Sequence, residues 1–78
     1  MFEKICAILA EFTNVNVSEM NPNTNLLNDL DMNSLETMDA VIRFEEEFDI
    51  EIPDRDVSLF HCIGDIADYL SKKMNGGE

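Results

Sequence analysis

The sequence predicts an all-α protein: a small four-helix bundle of three main helices and one short one, with a long structured loop between the first two. Three observations lead there. Apolar residues recur at helical spacing in three separate segments. No segment alternates apolar and polar residues with period two, so no sheet is expected. At 78 residues the chain is one domain, spanning 1–78, and its core is small enough to be marginal.

The first helix is predicted over residues 2–13. Phe2, Ile5, Cys6, Leu9 and Phe12 make one apolar stripe with Ile8 on its flank, while Glu3, Lys4 and Glu11 lie off it. Residues 14–33 break the pattern. Asn stands at 14, 16, 21, 23, 25, 28 and 33, and Asn21-Pro22-Asn23 signals a turn. A loop of about twenty residues is uncommon in a compact domain unless it packs on itself or carries function. Val15, Val17, Met20, Leu26, Leu27 and Leu30 are its candidate anchors, and Ser18-Glu19-Met20 a candidate helical turn. An ordered loop pinned to the core is therefore expected.

The strongest helical pattern covers residues 34–49. Leu35, Met38, Val41, Ile42, Phe44 and Phe48 take one side, and Glu36, Asp39, Arg43, Glu46 and Glu47 the other. Asn33 is placed to cap this helix, with Glu36 three residues on to complete a capping box. Pro53 disfavours a helical Ile52, and Asp54 is a candidate cap for the next turn. Residues 55–60 read as that short turn, with Val57, Leu59 and Phe60 apolar. Ile63, Ile66, Ala67, Leu70 and Met74 then give a last helical stripe. Lys72 and Lys73 suit its C-terminal dipole, and Asn75-Gly76-Gly77 stops it.

Charge narrows the function classes. Seventeen acids oppose five bases, for a formal net charge of −12. Nucleic acid is excluded as a partner, because phosphate contacts need Lys and Arg. Solubility alone does not require the concentration of acids at Asp29, Asp31, Glu36, Asp39, Glu45, Glu46, Glu47, Asp49, Glu51, Asp54 and Asp56, opposed only by Arg43 and Arg55. Such a field steers basic protein surfaces towards the chain. Cys6 and Cys62 are too few and too far apart for a disulfide framework, so free thiols and a reducing, cytoplasmic setting are expected. The N-terminal apolar residues are too interrupted for a signal peptide or a membrane span. A monomer is expected.

The stretch Leu30 to Glu36 carries the candidate chemistry. Asp29, Asp31 and Asn33 match the first ligand positions of an EF-hand, but the match fails at Ser34, where Gly is required, and at Ala40, where Glu is required. No metal site is expected. A hydrolase serine is excluded too, since Ser34 has no Gly-x-Ser-x-Gly context and no strand before it. Two readings of Ser34 stay open on the residues alone. It is a residue that helix starts favour, or its hydroxyl, left free by the Asn33 cap, is a site of covalent modification. A phosphoester there would face the helix dipole.

The run Leu27 to Glu36, followed by Phe44, Glu45, Glu46, Glu47, Phe48 and then Ile52, Pro53, Asp54, resembles an acyl carrier protein of the discrete, type II kind. The resemblance extends over the whole chain, to Asp68-Tyr69-Leu70 in the last helix. It implies that Ser34, between Asn33 and Leu35, carries a 4′-phosphopantetheine arm taken from coenzyme A by a phosphopantetheinyl transferase. It implies a carrier that does no chemistry itself and holds acyl groups as thioesters for the enzymes of fatty-acid or polyketide-like synthesis. Asp31, Glu36, Asp39, Glu46 and Asp54, with Ile42 and Leu35, match the family's surface for basic partner enzymes. Met38 is a candidate lining residue for the acyl chain. Three positions depart from the family's usual pattern: Asn33 replaces Asp, His61-Cys62 precedes the last helix where Thr is usual, and Arg43 interrupts the acidic face. The contrasting reading is an unmodified acidic adaptor that binds a basic partner.

Overall fold

A computed structural model describes residues 1–75. Four helices follow in order: α1 (Phe2–Ala10), α2 (Ser34–Phe48), α3 (Asp54–Val57) and α4 (Ile63–Asn75). A single 3₁₀ turn, Val17–Glu19, lies in the loop between α1 and α2. There is no strand among the described residues, only an isolated antiparallel bridge between Asn25 and Cys62. The all-α bundle is as the sequence predicts.

The core gathers Ile5, Cys6, Ile8 and Leu9 from α1, Ala40, Val41 and Phe44 from α2, and Ile63, Ile66 and Leu70 from α4. Phe44 is fully buried at the centre. Burial pushes the Cys6 thiol above its ordinary pKa, with the charge of Glu3 adding to it, so this cysteine behaves as a small apolar core residue.

Several boundaries differ from the sequence reading. Helix α1 stops at Ala10 instead of 13 because Glu11 and Phe12 close back on Ile8 and Leu9 with short i→i+3 bonds. Thr13 then accepts the Val15 N–H at 3.2 Å, a local turn that competes with further helix. Helix α2 ends at Phe48, before the expected 49. Asp49 sits in the left-handed region (φ 55), and the Ile50 N–H returns to the Glu45 carbonyl at 3.2 Å. Asp54 caps nothing. It is the first residue of α3, and Pro53 holds the cap position with no side-chain bond.

The apolar side of α2 is also split. Val41 and Phe44 face the core and Phe48 packs on its edge, while Leu35 and Ile42 are 78% and 48% exposed. Leu59, an apolar residue of the expected short turn, and Met74, on the last apolar stripe, are exposed as well. The Gly76-Gly77 stop lies outside the described residues.

The long loop is ordered by its own polar side chains. Asn25 Oδ1 accepts from the N–H groups of Leu27 and Asn28, and Asn21 Oδ1 from that of Asn23. These are Asx turns, and they give Asn21 and Asn25 a role in ordering the loop. Met20, Leu26, Leu30 and Met32 are buried as anchors and Val15 partly so, but Val17 and Leu27 point outwards, Leu27 64% exposed. The loop is also sewn to the start of α4. The Leu26 N–H bonds the His61 carbonyl at 3.0 Å, the Ile63 N–H bonds Thr24 at 3.0 Å, and the Gly64 N–H bonds Pro22 at 2.8 Å.

Helix α4 supplies its own cap from inside. The Asp65 carboxylate accepts from the backbone N–H groups of His61 (3.1 Å) and Cys62 (3.3 Å). No side chain from outside the helix is needed, which answers the missing Thr. The bonds from those two N–H groups hold Asp65 below the usual carboxylate range, led by that of His61.

Two outcomes are expected. A Cβ at position 64 would lie 2.9 Å from the Pro22 carbonyl oxygen, which its own hydrogen bond holds in place. Gly64→Ala should therefore cost about 1–3 kcal/mol, despite the better helix propensity of Ala, in denaturant unfolding. Asp65→Ala should cost about 1 kcal/mol at neutral pH through the lost cap. The native carboxyl has the lower pKa, so its contribution is complete above the unfolded pKa and is lost as pH falls through the native one. The difference between wild type and Asp65→Ala should shrink through that acid range.

Candidate functional site

The site forms where the loop delivers the chain to α2. Asp31, exposed and in the left-handed region (φ 56), turns the backbone. Met32 next to it is buried and its N–H bonds the Leu26 carbonyl at 3.0 Å, which fixes the direction of approach. Asn33 then caps α2. Its Oδ1 accepts from the Glu36 N–H at 2.8 Å, and Glu36 Oε1 accepts from the Asn33 N–H at 3.2 Å. This is the full capping box the sequence predicts.

Ser34 is the first residue of α2 and is exposed. The cap is complete without its hydroxyl. Its amide and that of Leu35 lie ahead of the first bond within the helix, at the positive end of a 15-residue dipole. The opposing charge nearest in sequence is Glu36, whose carboxylate turns back onto Asn33.

Beside Ser34 is a cavity of about 360 Å³. Ser34, Thr37 and Met38 line it from α2, Asp54 and Val57 from α3, and Ser58 and Phe60 from the segment after it. The two hydroxyls in the wall other than Ser34 are already committed. Thr37 donates to the Asn33 carbonyl and Ser58 to the Arg55 carbonyl, each at 2.9 Å. What they leave for an occupant is mainly the apolar bodies of Met38, Val57 and Phe60.

Two hydrogen bonds hold the α3 wall. Glu45 Oε2 accepts from the Ile52 N–H at 2.7 Å, just before α3. The Tyr69 hydroxyl on α4 donates to Asp56 Oδ2 on α3 at 2.6 Å. Burial, this bond and the charge of Asp56 push the Tyr69 hydroxyl up to about 12. Phe60 packs edge-on against the Tyr69 ring, centroids 5.2 Å apart.

The other residues singled out by the sequence fall in two places. Leu35, Asp39, Ile42 and Glu46 are all exposed, and their i, i+4, i+7, i+11 spacing sets them in one row along α2, turned away from the core. Asp54 stands apart from that row, on the α3 side of the cavity. No group of three or more His, Cys, Asp or Glu that could hold a metal ion occurs among the described residues. Asp29, first in the abandoned EF-hand match, spends its carboxylate on the Asn25 N–H at 2.7 Å.

Sequence reasoning missed Thr37, Ser58, Glu45 and Tyr69. Thr37 alone had a signal: it is three residues from Ser34 and so on the same side of the helix.

A family model described as phosphopantetheine attachment site matches residues 3–70, and the chain belongs to that family. The group such domains carry is a covalently attached 4′-phosphopantetheine. Among solved structures, the chain is similar to the acyl carrier protein from Enterococcus faecalis, known for its high thermal stability. The TM-score is 0.80 and the identity 25%, over 92% of this chain and 91% of that one. Together these findings bear out the resemblance drawn from residues 27–36 and 44–54, and support an acyl carrier role. No helix among the described residues is long and apolar enough to cross a membrane.

The residues present fit the group. Ser34 offers an exposed hydroxyl for an ester, the first turn of α2 offers amides and a dipole to a phosphate, and an apolar-lined cavity lies alongside. The cap is separable from the hydroxyl. Asn33→Ala should lose about 1 kcal/mol of stability in thermal or urea unfolding, whereas Asn33→Asp, which keeps the acceptor oxygen, should stay close to wild type.

Proposed function

We propose that Ser34 is the attachment point of 4′-phosphopantetheine, and that residues 1–78 act as an acyl carrier domain for fatty-acid or related, polyketide-like synthesis. One observation carries this reading. The Ser34 hydroxyl is exposed at the start of α2, unused by a cap that Asn33 and Glu36 complete between them, and it lines the cavity beside α3. A merely structural serine would be expected to serve the cap.

When bound, the arm supplies a terminal thiol that carries acyl groups as thioesters. The chain's own residues do the rest by position. Asn33 and Leu35 hold Ser34 between cap and helix, and the first-turn amides of α2 face the phosphate. Met38, Val57 and Phe60 offer apolar surface that excludes water from an acyl chain. No residue of the cavity has the partners of a general base or nucleophile, so the carrier acts by tethering its cargo at high effective concentration for enzymes that do the chemistry.

Asp31, Glu36, Asp39, Glu46 and Asp54, with Ile42 and Leu35 as apolar contacts, form the surface read by those enzymes. They are a phosphopantetheinyl transferase and acyl-transferring or synthase enzymes with basic patches. The exposure of Leu35 and Ile42 in one row with Asp39 and Glu46 supports this. The reading includes a monomeric protein in the cytoplasm.

Incubation of the apo-protein with coenzyme A and a broad-specificity phosphopantetheinyl transferase, followed by intact mass measurement, tests the attachment. Wild type should gain the mass of one arm and Ser34→Ala none. An unchanged wild type, or a labelled Ser34→Ala, would overturn it. The double variant Glu36→Lys/Asp39→Lys should react on the order of tenfold more slowly at low salt, with the gap closing as salt rises.

A further inference from the structure

The outward face of α2 is not uniformly acidic. Arg43 Nε lies 3.6 Å from Glu11 Oε1, just past the end of α1, and the guanidinium lies 3.7 Å from Glu46 Oε1 on the next turn of α2. Lys4 Nζ meets Glu47 Oε2 at 3.0 Å. Glu46 and Glu47, in the C-terminal half of the helix, thus face cations of their own chain. Glu36 and Asp39, beside Leu35, form no ion pair among the described residues.

Distance along the helix decides how far this neutralisation reaches. At about 1.5 Å rise per residue, Arg43 stands roughly 6 Å along from Asp39 and roughly 10 Å from Glu36. The screening length at physiological salt is about 8 Å. Arg43 therefore weakens the field at Asp39 more than that at Glu36. Its side chain is 35% exposed, enough to meet an approaching surface at the edge of Ile42.

We propose that Arg43 is a specificity-determining residue. By pairing with Glu11 and Glu46, it weakens the acidic surface at the C-terminal half of α2 and places the strongest part of the footprint offered to a basic partner around Leu35, Glu36 and Asp39. It favours a partner enzyme whose basic patch is compact and surrounds a socket for Leu35. It disfavours one whose basic residues extend past Ile42, where they would meet the guanidinium. This rests on the reading of Ser34 as the attachment point, because the transferase that reaches Ser34 must dock on this face.

The test measures kcat/KM for Ser34 modification across a salt series, in wild type, Arg43→Gln, Arg43→Lys, Glu46→Gln and the double variant Arg43→Gln/Glu46→Gln. The same proteins are titrated with a short oligolysine peptide. Arg43→Gln should raise kcat/KM at low salt about two- to fivefold, through KM, with a steeper salt dependence. Arg43→Lys, which keeps the charge, should gain less. Glu46→Gln should cost more when Arg43 is absent than when it is present. Peptide affinity should follow the same order.

With the fold intact by circular dichroism and Tm, no gain in Arg43→Gln would overturn the proposal. So would equal gains for Gln and Lys, or an effect of Glu46→Gln that ignores residue 43. If wild type is not modified at all, the reading of Ser34 fails, and the order of peptide affinities still decides the role of Arg43.

Discussion

The structure depends on a strap of backbone hydrogen bonds between residues 22–26 of the loop and residues 61–64 at the start of α4. Without it, a twenty-residue connection would carry many polar groups over an apolar core with nothing to bond them. The strap settles that account by borrowing the first turn of α4, whose N–H groups have no helical partners. It works only because Gly64 has no side chain where Pro22 approaches. Asp65 completes the arrangement by taking the N–H groups of His61 and Cys62 from within α4. Loop and helix start therefore order each other, and neither cap nor strap makes sense alone.

This constraint positions the site. Once Leu26 is fixed against His61, the Met32 N–H on the Leu26 carbonyl and the buried Met32 side chain set the approach to Asn33. The backbone must then turn through the left-handed region at Asp31, a conformation that Asp tolerates better than most residues. The other wall of the cavity is held by different means. A helix of four residues cannot be stable on its own. It stays in place because Glu45 holds the chain just before it and Tyr69 holds Asp56 within it. The α2 wall is thus held through the core, and the α3 wall by one side-chain bond to α2, one to α4 and the packing of Ile52, Val57 and Phe60.

What was legible in the sequence follows from which forces are periodic. The stripes of α1, α2 and α4 repeat with the helix, and so did the core residues Ile5, Leu9, Phe44, Ile66 and Leu70. The Asn33–Glu36 capping box is a fixed spacing of two polar residues and was equally readable. Loop burial has no period, so Met20 and Leu30 could not be told from Val17 and Leu27 by pattern. The exposure of Leu35 and Ile42 was hidden from the hydropathy pattern, which assigns both to the apolar side of α2; the family resemblance placed them on a partner surface, and the packing of the helices shows them exposed. Tyr69 to Asp56 and Glu45 to Ile52 join residues brought together by the fold, which no local spacing announces. The reading of Ser34 as more than a helix-start residue came from the downstream Phe44–Phe48 and Ile52–Asp54 blocks by resemblance, not from Ser34 itself.

The three residues Asn33, Ser34 and Leu35 divide the work of one helix start. A cap needs an acceptor oxygen, and Asp would supply one together with a full negative charge. That charge would interact favourably with the helix dipole, by about 0.3–1 kcal/mol at an exposed end. It would also stand beside the hydroxyl of Ser34, on a turn that already holds Asp31, Glu36 and Asp39. Any phosphoester formed at Ser34 would then be repelled by it across the first turn. Asn33 keeps the hydrogen bond to the Glu36 N–H and omits the repulsion. The helix gives up part of the dipole term, and the end of α2 is left electrostatically available to a phosphate. Leu35 turned outwards completes the division: in the docking proposed above, an apolar contact adjacent to Ser34 would add affinity without adding charge to a chain already at −12.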